Sequence, residues 1–180
     1  MLNYSKNFRT IVTLSIFLML ASINFAYSQT PEEKLVSLGI TLPTIAAPVG
    51  SYVHAIRVGN IIYLSGKGPR KDDGAYVTGK VGSTLTIEEG QQAAKLAAVI
   101  QLAVLKQELG SLSNIKRIVR VNGFVNCDAG FQDQPKVING FSDLMIAVFG
   151  EKGRHARTAL GTNALPFNMA VEVEMIVEVE

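Results

Sequence analysis

Residues 154–180 carry the pattern that most constrains the fold of this chain. Two stretches of alternating residues flank the dipeptide Leu165-Pro166, and this arrangement predicts two antiparallel strands joined by a turn. The second stretch places apolar side chains at every other position: Val171, Val173, Met175, Val177 and Val179. The positions between them are Glu172, Glu174, Ile176, Glu178 and Glu180. Such alternation indicates a sheet with one face in the core and the other open to water.

Arg157 lies at the start of the first alternating stretch, so a guanidinium and a row of carboxylates belong to one region of the sheet. Two interpretations stay open at this point. The charged side chains are either an ordinary solvated face of a helix-backed sheet or part of a site. A site is chemically reasonable, because an arginine can bind a small carboxylate and a glutamate can move a proton.

Residues 1–28 have the three-part design of a secretory signal peptide. Lys6 and Arg9 form a cationic start, an apolar run follows, and small residues precede a cleavage site after Ser28. The run is too short to cross a bilayer comfortably. The sequence therefore predicts export, to the periplasm or out of the cell, of a mature chain that begins at Gln29.

Charge and cysteine content exclude several classes of protein. Without the two basic residues of the leader, the chain has as many basic as acidic residues, which argues against general attraction to nucleic acid or anionic membrane. Cys127 is the single cysteine, so no internal disulfide forms, and its strand parity predicts a buried, unreactive thiol. His54 and His155 are far apart in sequence and no His/Cys cluster has metal spacing, so no metal site is predicted.

Helix and strand signals predict an α+β fold. Capping boxes at Thr30 and Thr86 and a proline at Pro135 mark three helix starts. Strands are predicted over residues 52–58 and 61–65, joined at Gly59-Asn60, and over 115–126. Residues 29–48 then form a helix and an extended arm, and residues 49–180 form a two-layer domain with two main helices on one face of a mostly antiparallel sheet. The other face mixes polar and apolar groups, which predicts contact with another subunit; on the third strand these are Arg120, Asn122, Phe124 and Asn126.

Several short motifs in the chain resemble those of the RidA/YjgF family, also called endoribonuclease L-PSP. The motifs are Tyr63-Leu64-Ser65-Gly66 before Pro69, Gly123-Phe124-Val125-Asn126, Val137-Ile138-Asn139, Arg157-Thr158, and Leu165-Pro166 before Val171-Glu172-Val173-Glu174. The resemblance covers about residues 49–180, and it is nearest to a longer YjgF-like subgroup. It implies a chorismate-mutase-like fold, a homotrimer with ligand sites in the clefts between subunits, and no cofactor.

The resemblance also implies an activity, the hydrolysis of reactive enamines and imines to 2-keto acids and ammonia. Arg157 would bind the substrate carboxylate, and Glu172 would activate the attacking water. The remaining substrate-binding residues implied by the family are Tyr52, Ser65, Gly66 and Asn139. Glu174 has the same parity as Glu172, so the alternation alone does not choose between the two carboxylates.

Two other functions stay open from the sequence. The same arginine would serve a protein that binds small carboxylates or keto acids without turnover. The older family name suggests a ribonuclease, for which the sequence offers a basic cluster of Lys67, Arg70 and Lys71 in one predicted loop. The balanced charge of the predicted mature chain makes the ribonuclease the weakest of the three hypotheses.

Overall fold

The structure is a computed structural model that describes residues 29–48 and 50–180, so the predicted signal peptide lies outside the described residues. Its helices are α1 (Pro31–Ser37), α2 (Ile87–Leu109) and α3 (Gln134–Phe149). Its strands are β1 (Ala55–Val58), β2 (Ile61–Lys67), β3 (Ile115–Asn126), β4 (Ala156–Thr162) and β5 (Val171–Val179). Short 3-10 turns lie at Leu112–Asn114, Gly150–Gly153 and Pro166–Asn168. The helices pack on a five-stranded, mostly antiparallel open sheet, which confirms the predicted α+β, chorismate-mutase-like fold.

The predicted capping boxes set the starts of the first two helices. At Thr86, the hydroxyl oxygen accepts a hydrogen bond from Glu89 N at 3.1 Å, and the Glu89 carboxylate accepts one from Thr86 N at 2.8 Å. Thr30 and Glu33 form the same reciprocal pair. Each box satisfies two backbone N–H groups that would otherwise lack partners at a helix start. Helix α2 ends at Gly110, which adopts a positive φ of 71°.

The sheet order is β1-β2-β5-β3-β4, and it shows that one predicted hairpin is right and another is wrong. β1 and β2 form the hairpin expected at Gly59-Asn60, with Val58 opposite Ile61. β4 and β5, predicted as a hairpin around Leu165-Pro166, are not neighbours, because β3 lies between them. β4 runs parallel to β3 after the crossover through α3, as a strand–helix–strand unit requires. Alternation in a sequence indicates which face a residue occupies, but it does not indicate which strand lies beside it.

The core lies between the sheet and helices α2 and α3. All five alternating apolar residues of β5 are buried, as predicted, and so is Cys127, which is 6% exposed. The two helices approach closely at Gly140, where a Cβ atom would collide with the backbone carbonyl of Gln91. No helix among the described residues is long and apolar enough to cross a membrane.

Two residues of β3 depart from the predicted faces. Val119, expected in the core with Val121, is 37% exposed, because the pairing of β3 with β5 shifts between Ile118 and Arg120. An extra residue at such a bulge moves its side chain to the other face. Asn126, expected on the open face, is fully buried, and its Nδ2 donates to Asn168 Oδ1 at 3.1 Å.

Candidate functional site

The two predicted catalytic residues lie on opposite faces of the sheet. Arg157 on β4 is opposite Val121, a core residue, so its side chain points to the helix side. Glu172 on β5 is opposite Phe124, on the open side. The strands that carry them are separated by β3, which places their backbones about 10 Å apart. The structure therefore does not bring Arg157 and Glu172 together within one chain.

Each of these residues has its own group of neighbours. We call the first group the acidic half-site, and its members are Tyr52, Ser65, Gly66, Lys67 and Glu172. We call the second the cationic half-site, and its members are Asn139, Ser142, Arg154, His155 and Arg157. The predicted residues Tyr52, Ser65 and Gly66 thus fall with Glu172, whereas Asn139 falls with Arg157.

An irregularity in the β2–β5 pairing forms the acidic half-site. Leu64 pairs with Met175 and Lys67 pairs with Val173, so β2 holds one more residue than β5 over this stretch. Gly66 occupies the irregular position, and a Cβ atom there would collide with the Glu172 carboxylate. Any other side chain here would take the space that the Glu172 carboxylate occupies, so the carboxylate would have to move.

A buried glutamine of α2 holds this irregularity in place. Gln101 is fully buried, and its Nε2 donates to Ser65 O at 3.1 Å and to Val173 O at 2.7 Å. These carbonyls belong to the two strands whose pairing slips, so a single amide joins β2, β5 and the helix layer. Sequence analysis missed this role, although a lone amide within the apolar stripe of α2 is a signal that could have found it.

Tyr52 and Ser65 lie in the acidic half-site with specific contacts. The Ser65 hydroxyl donates to Val53 O at 2.6 Å, which ties the segment before β1 to β2. The Tyr52 ring is 53% exposed and stands edge-on to His54, with 6.3 Å between ring centroids. Because β1 begins only at Ala55, Tyr52 is outside the strand in which it was predicted.

Burial and nearby charges shift the pKa values of Glu172 and Lys67 in the acidic half-site. Burial and, to a smaller extent, repulsion by Glu174 raise the pKa of Glu172, while the positive charge of Lys67 opposes the rise. Burial lowers the pKa of Lys67 against the attraction of Glu172. Lys67 is only 8% exposed, and sequence analysis placed it in a solvated loop. A raised carboxyl pKa and a lowered lysine pKa bring the acidities of the two groups closer together, which suits proton transfer.

Hydrogen bonding separates the two carboxylates that the alternation left equivalent. Glu174 accepts a hydrogen bond from Asn122 Nδ2 at 2.8 Å on the open face. Among residues 29–48 and 50–180, no donor forms a hydrogen bond with Glu172. A partly buried carboxylate with free lone pairs can accept a proton from water, whereas Glu174 is already engaged. Glu172 and Glu174 therefore differ in hydrogen bonding, and only Glu174 has a donor among the described residues.

The cationic half-site holds the Arg157 guanidinium against α3. Its Nη1 donates to Asn139 Oδ1 at 2.9 Å and to Ser142 Oγ at 3.0 Å, and its Nη2 donates to Pro135 O at 3.3 Å. Within the described part of the chain, the Nε–H and one Nη2–H have no partner. Asn139, predicted to lie at a ligand cleft, therefore binds and orients the arginine.

A histidine completes the support of this arginine. His155 Nδ1 lies 2.7 Å from Gly153 O, and since a carbonyl only accepts, Nδ1 carries the hydrogen. The Ser142 hydroxyl can then donate to His155 Nε2 at 3.0 Å while it accepts from Arg157. Burial lowers the pKa of His155, the hydrogen bond to Gly153 opposes this, and the charge of Arg157 adds to the lowering. Ser142 carried no sequence signal, because a single serine within an amphipathic helix is commonplace.

An open pocket of about 200 Å³ adjoins the cationic half-site, lined by Ser142, Ile146, Arg154, His155 and Arg157. Two guanidinium groups on its wall make it attractive to an anion such as a carboxylate.

Among the described residues, no group of three or more His, Cys, Asp or Glu side chains could hold a metal ion. The basic cluster considered for RNA is also reduced, since Lys67 is buried and only Arg70 and Lys71 remain exposed.

Comparison with known proteins assigns the family. Residues 32–179 match the model of the family described as "YjgF/chorismate_mutase-like, putative endoribonuclease". The chain belongs to the YjgF/RidA family. This match covers more than half of the chain, and it extends from α1 to the end of β5.

Individual proteins and solved structures are similar to this chain over most of its length. Protein TCP17 of Trypanosoma cruzi is 45% identical over 146 residues, which are 81% of this chain and 91% of that protein. The 2-iminobutanoate/2-iminopropanoate deaminase of Dermatophagoides farinae is 32% identical over 143 residues, 78% of this chain and 95% of the relative. The crystal structure of Atu1372 of Agrobacterium tumefaciens, of unknown function, is 44% identical with a TM-score of 0.77 and covers 83% of this chain and 92% of its own.

Proposed function

We propose that this protein is an exported deaminase that hydrolyses reactive 2-imino and 2-enamino acids to 2-keto acids and ammonia. The observation that carries the proposal is the pair of half-sites. In the described residues, one holds the Glu172 carboxylate without a hydrogen-bond donor, and the other holds Arg157 oriented by hydrogen bonds. Membership of the YjgF/RidA family and similarity to a relative named as an imine deaminase support the substrate class. No cofactor is included in the proposed reaction.

The proposed chemistry divides between the two half-sites. Arg157 binds the substrate carboxylate through the N–H groups that its support leaves free. Glu172 takes a proton from water as the oxygen attacks the C=N carbon, and it returns the proton to the nitrogen. A raised pKa suits this cycle, because the protonated carboxyl is then more accessible near neutral pH. Tyr52 supplies a hydroxyl group, and the lack of a side chain at Gly66 leaves room for the Glu172 carboxylate.

The separation of the half-sites supports a site shared between subunits. Arg157 lies on β4, an edge strand, where a neighbouring subunit can approach it. In the proposed homotrimer, Glu172 of one subunit faces Arg157 of the next across a cleft. A cyclic assembly makes every such cleft equivalent, so each subunit supplies one half to each of two sites.

The open face of the sheet supports assembly as well. Ile56, Tyr63 and Leu160, on three different strands, are 57%, 47% and 53% exposed. Ile56 pairs with Tyr63, and Leu160 pairs with Phe124, so all of these side chains lie on the open face. Large apolar side chains grouped on one surface are typical of a surface that contacts another protein.

Mixing two inactive variants tests the shared site directly. Arg157→Ala and Glu172→Gln are each expected to abolish hydrolysis of 2-iminopropanoate, generated in situ and followed by semicarbazone formation. When the two are co-expressed, about a quarter of the sites regain both groups by random assortment in a cyclic assembly. Activity near that fraction in purified mixed oligomers is the expected result.

The control is a mixture of wild-type and doubly substituted chains, which calibrates subunit exchange by mass spectrometry. If mixed oligomers form but regain no activity, the site is not shared in the way proposed. If Arg157→Ala alone hydrolyses the imine as fast as the parent, the assignment of Arg157 is wrong. Export is tested separately by determining the amino terminus of the protein recovered outside the cytosol, for which Gln29 is expected.

Binding of small carboxylates without turnover is the second candidate, and the pocket beside Arg154 and Arg157 favours it. Calorimetry with pyruvate separates the two functions. A binding protein keeps its pyruvate affinity in Glu172→Gln and never turns over imine, whereas an enzyme loses turnover in that variant. A ribonuclease is not proposed, because the buried Lys67 leaves the basic loop with two exposed cations.

A further inference from the structure

We propose that the side-chain amine of Lys67 acts as a nucleophile that forms a Schiff base with small 2-keto acids and 2-imino acids at the acidic half-site. This inference rests on the proposed function for its substrate class. It adds a covalent step and a reactive residue that the proposed water attack on the imine does not require. Four observations on Lys67 carry it: its burial, its hydrogen bonding, its neighbouring carboxylate and the ring above it.

Lys67 is buried without the partners that a buried ammonium normally has. It is 8% exposed, and its single hydrogen bond in the described residues goes to the carbonyl of its neighbour Gly66, at a long 3.4 Å. It forms no ion pair with any carboxylate of the described part of the chain. Burying a charged group so sparsely bonded is costly, and a lysine in this position releases its proton more readily than one in water.

Glu172 and Lys67 both lie against Gly66, because a Cβ atom there would collide with the Glu172 carboxylate and the Lys67 Nζ atom is 3.4 Å from the Gly66 carbonyl oxygen. The two side chains nevertheless do not form an ion pair. Nucleophilic lysines need a nearby group that removes a proton from nitrogen and delivers it to the departing atom. The Glu172 carboxylate has no hydrogen-bond donor among the described residues, so it is free for this task. Gly66, between Lys67 and the serine before it, keeps the carboxylate's space clear.

Tyr52 forms the outer side of this arrangement. The Lys67 Nζ atom lies 5.8 Å from the centroid of the Tyr52 ring, so the ring covers one side of the amine. The ring lies between the amine and bulk water on this side. Because Tyr52 is 53% exposed, the ring remains accessible to a ligand. A small keto or imino acid seated against the ring would present its electrophilic carbon to Nζ.

The proposed step is balanced without any oxidant or reductant. With a 2-imino acid, the Nζ lone pair attacks the C=N carbon, and the two protons of Nζ move one after the other through Glu172 to the former imine nitrogen, which departs as ammonia. The product is a C=N bond between Nζ and the substrate carbon. Water then adds to that carbon, and expulsion of the amine releases the 2-keto acid and regenerates Lys67. With a 2-keto acid, the first half runs with loss of water instead of ammonia.

Borohydride trapping tests the covalent bond on the whole protein. Pyruvate and sodium borohydride are added to the assembled protein, because hydride reduces a Schiff base to a stable secondary amine. We expect peptide mass spectrometry to locate the reduced adduct on Lys67 in excess of any adduct on the exposed Lys71. Lys67→Arg retains the charge but cannot form the adduct, and Lys71→Arg is the matched control that leaves adduct formation unchanged.

Kinetics on the same variants test whether the adduct is part of turnover. Lys67→Arg is expected to lower imine hydrolysis about 100-fold, whereas Lys71→Arg leaves it unchanged. An adduct on Lys67 no greater than on Lys71, or full activity of Lys67→Arg, would overturn the inference. Trapping on the parent protein needs no variant, so a Lys67 substitution that fails to fold does not prevent the test.

Adduct formation on Lys67 and imine hydrolysis by the parent protein can each fail independently of the other. If the parent hydrolyses imines but no adduct forms on Lys67, the proposed function stands and the covalent step is wrong. If Lys67 traps pyruvate but the parent hydrolyses no imine, the deaminase proposal fails and the protein holds a reactive lysine that captures carbonyl compounds.

Discussion

The acidic and the cationic half-sites satisfy their charged groups in opposite ways. Arg157 donates three hydrogen bonds to residues of α3, so its position is determined within the chain. Glu172 has no hydrogen-bond donor in the described residues, and burial raises its pKa. The comparison indicates that the group proposed to bind substrate is held in place in advance, whereas the group proposed to react is left underbonded.

The largest effect on imine hydrolysis is expected from a substitution of Gly66, where the acidic half-site has no space for a side chain. Gly66→Ala places a methyl group against the Glu172 carboxylate, which must move. A shift of about 1 Å in a reacting group costs about 100-fold in rate, so imine hydrolysis should fall by that factor. Steady-state kinetics give the measurement. Thermal unfolding provides the check: adding Glu172→Asp, one methylene shorter, should recover the melting temperature lost in Gly66→Ala, and no recovery would show that the collision lies elsewhere.

Loss of the glutamine that holds the β2–β5 irregularity is expected to come next. Gln101→Leu keeps the approximate size of the side chain and removes both hydrogen bonds to the strand carbonyls. Buried carbonyls without donors lower the free energy of unfolding by about 2 kcal/mol. Urea denaturation measures it, with the exposed Gln107→Leu on the same helix as the matched control. Equal stability of the two variants would contradict the role of Gln101.

A smaller effect should follow in the cationic half-site, where the arginine has more than one support. Asn139→Ala removes one of three hydrogen-bond acceptors of Arg157 and leaves the guanidinium in place. The affinity for a small carboxylate such as pyruvate should fall about tenfold, as for loss of one hydrogen bond to a charged group. Calorimetry measures the affinity, with Gln132→Ala, an exposed amide before α3, as control. A loss as large as in Arg157→Ala would mean that Asn139 itself binds the ligand.

The smallest effect is the pH dependence of stability. The pKa of Glu172 is higher in the folded than in the unfolded chain, so between the two values the folded state binds more protons. The contribution of Glu172 to the free energy of unfolding is then greatest below the pKa of a carboxyl group in the unfolded chain. It declines as pH rises through the pKa of Glu172 in the folded chain. Glu172→Gln lacks this decline, so its free energy of unfolding relative to the parent should increase from about pH 4 toward neutral pH. Urea melts at several pH values measure it.

The exposed Glu108→Gln serves as the control for that series. The same shift should move the acid limb of imine hydrolysis to higher pH than an ordinary carboxyl group would give. A constant stability difference between the parent and Glu172→Gln across this range would show that Glu172 is not desolvated in the assembled protein.

Local patterns determined most of the fold. The capping boxes at Thr30 and Thr86 predicted two helix starts, and the alternation in β5 predicted which of its residues are buried. Both rest on contacts between residues close in sequence or on a simple period. For the same reason the prediction failed where strands choose partners: β4 lies beside β3 because of the crossover through α3, and no local pattern records that choice.

The candidate site was predicted as residue types and not as an arrangement. Sequence resemblance indicated Arg157 and Glu172, whereas turn signals placed Lys67 in a predicted loop and no pattern gave a role to Gln101 or Ser142. These roles depend on contacts over long distances in sequence, such as the bonds of Gln101 to two strands. Burial and hydrogen bonding of this kind arise only when the layers pack.

The sequence by itself determined the elements and the buried face of β5, and the family resemblance added the prediction that Arg157 and Glu172 belong to one site. Only the tertiary structure decided that these two residues lie on opposite faces, that Glu174 is engaged by Asn122, and that Lys67 is buried beside Glu172. The physical reason is that helix caps and strand alternation are local, whereas desolvation and charge interaction depend on which distant segments the packed chain brings together.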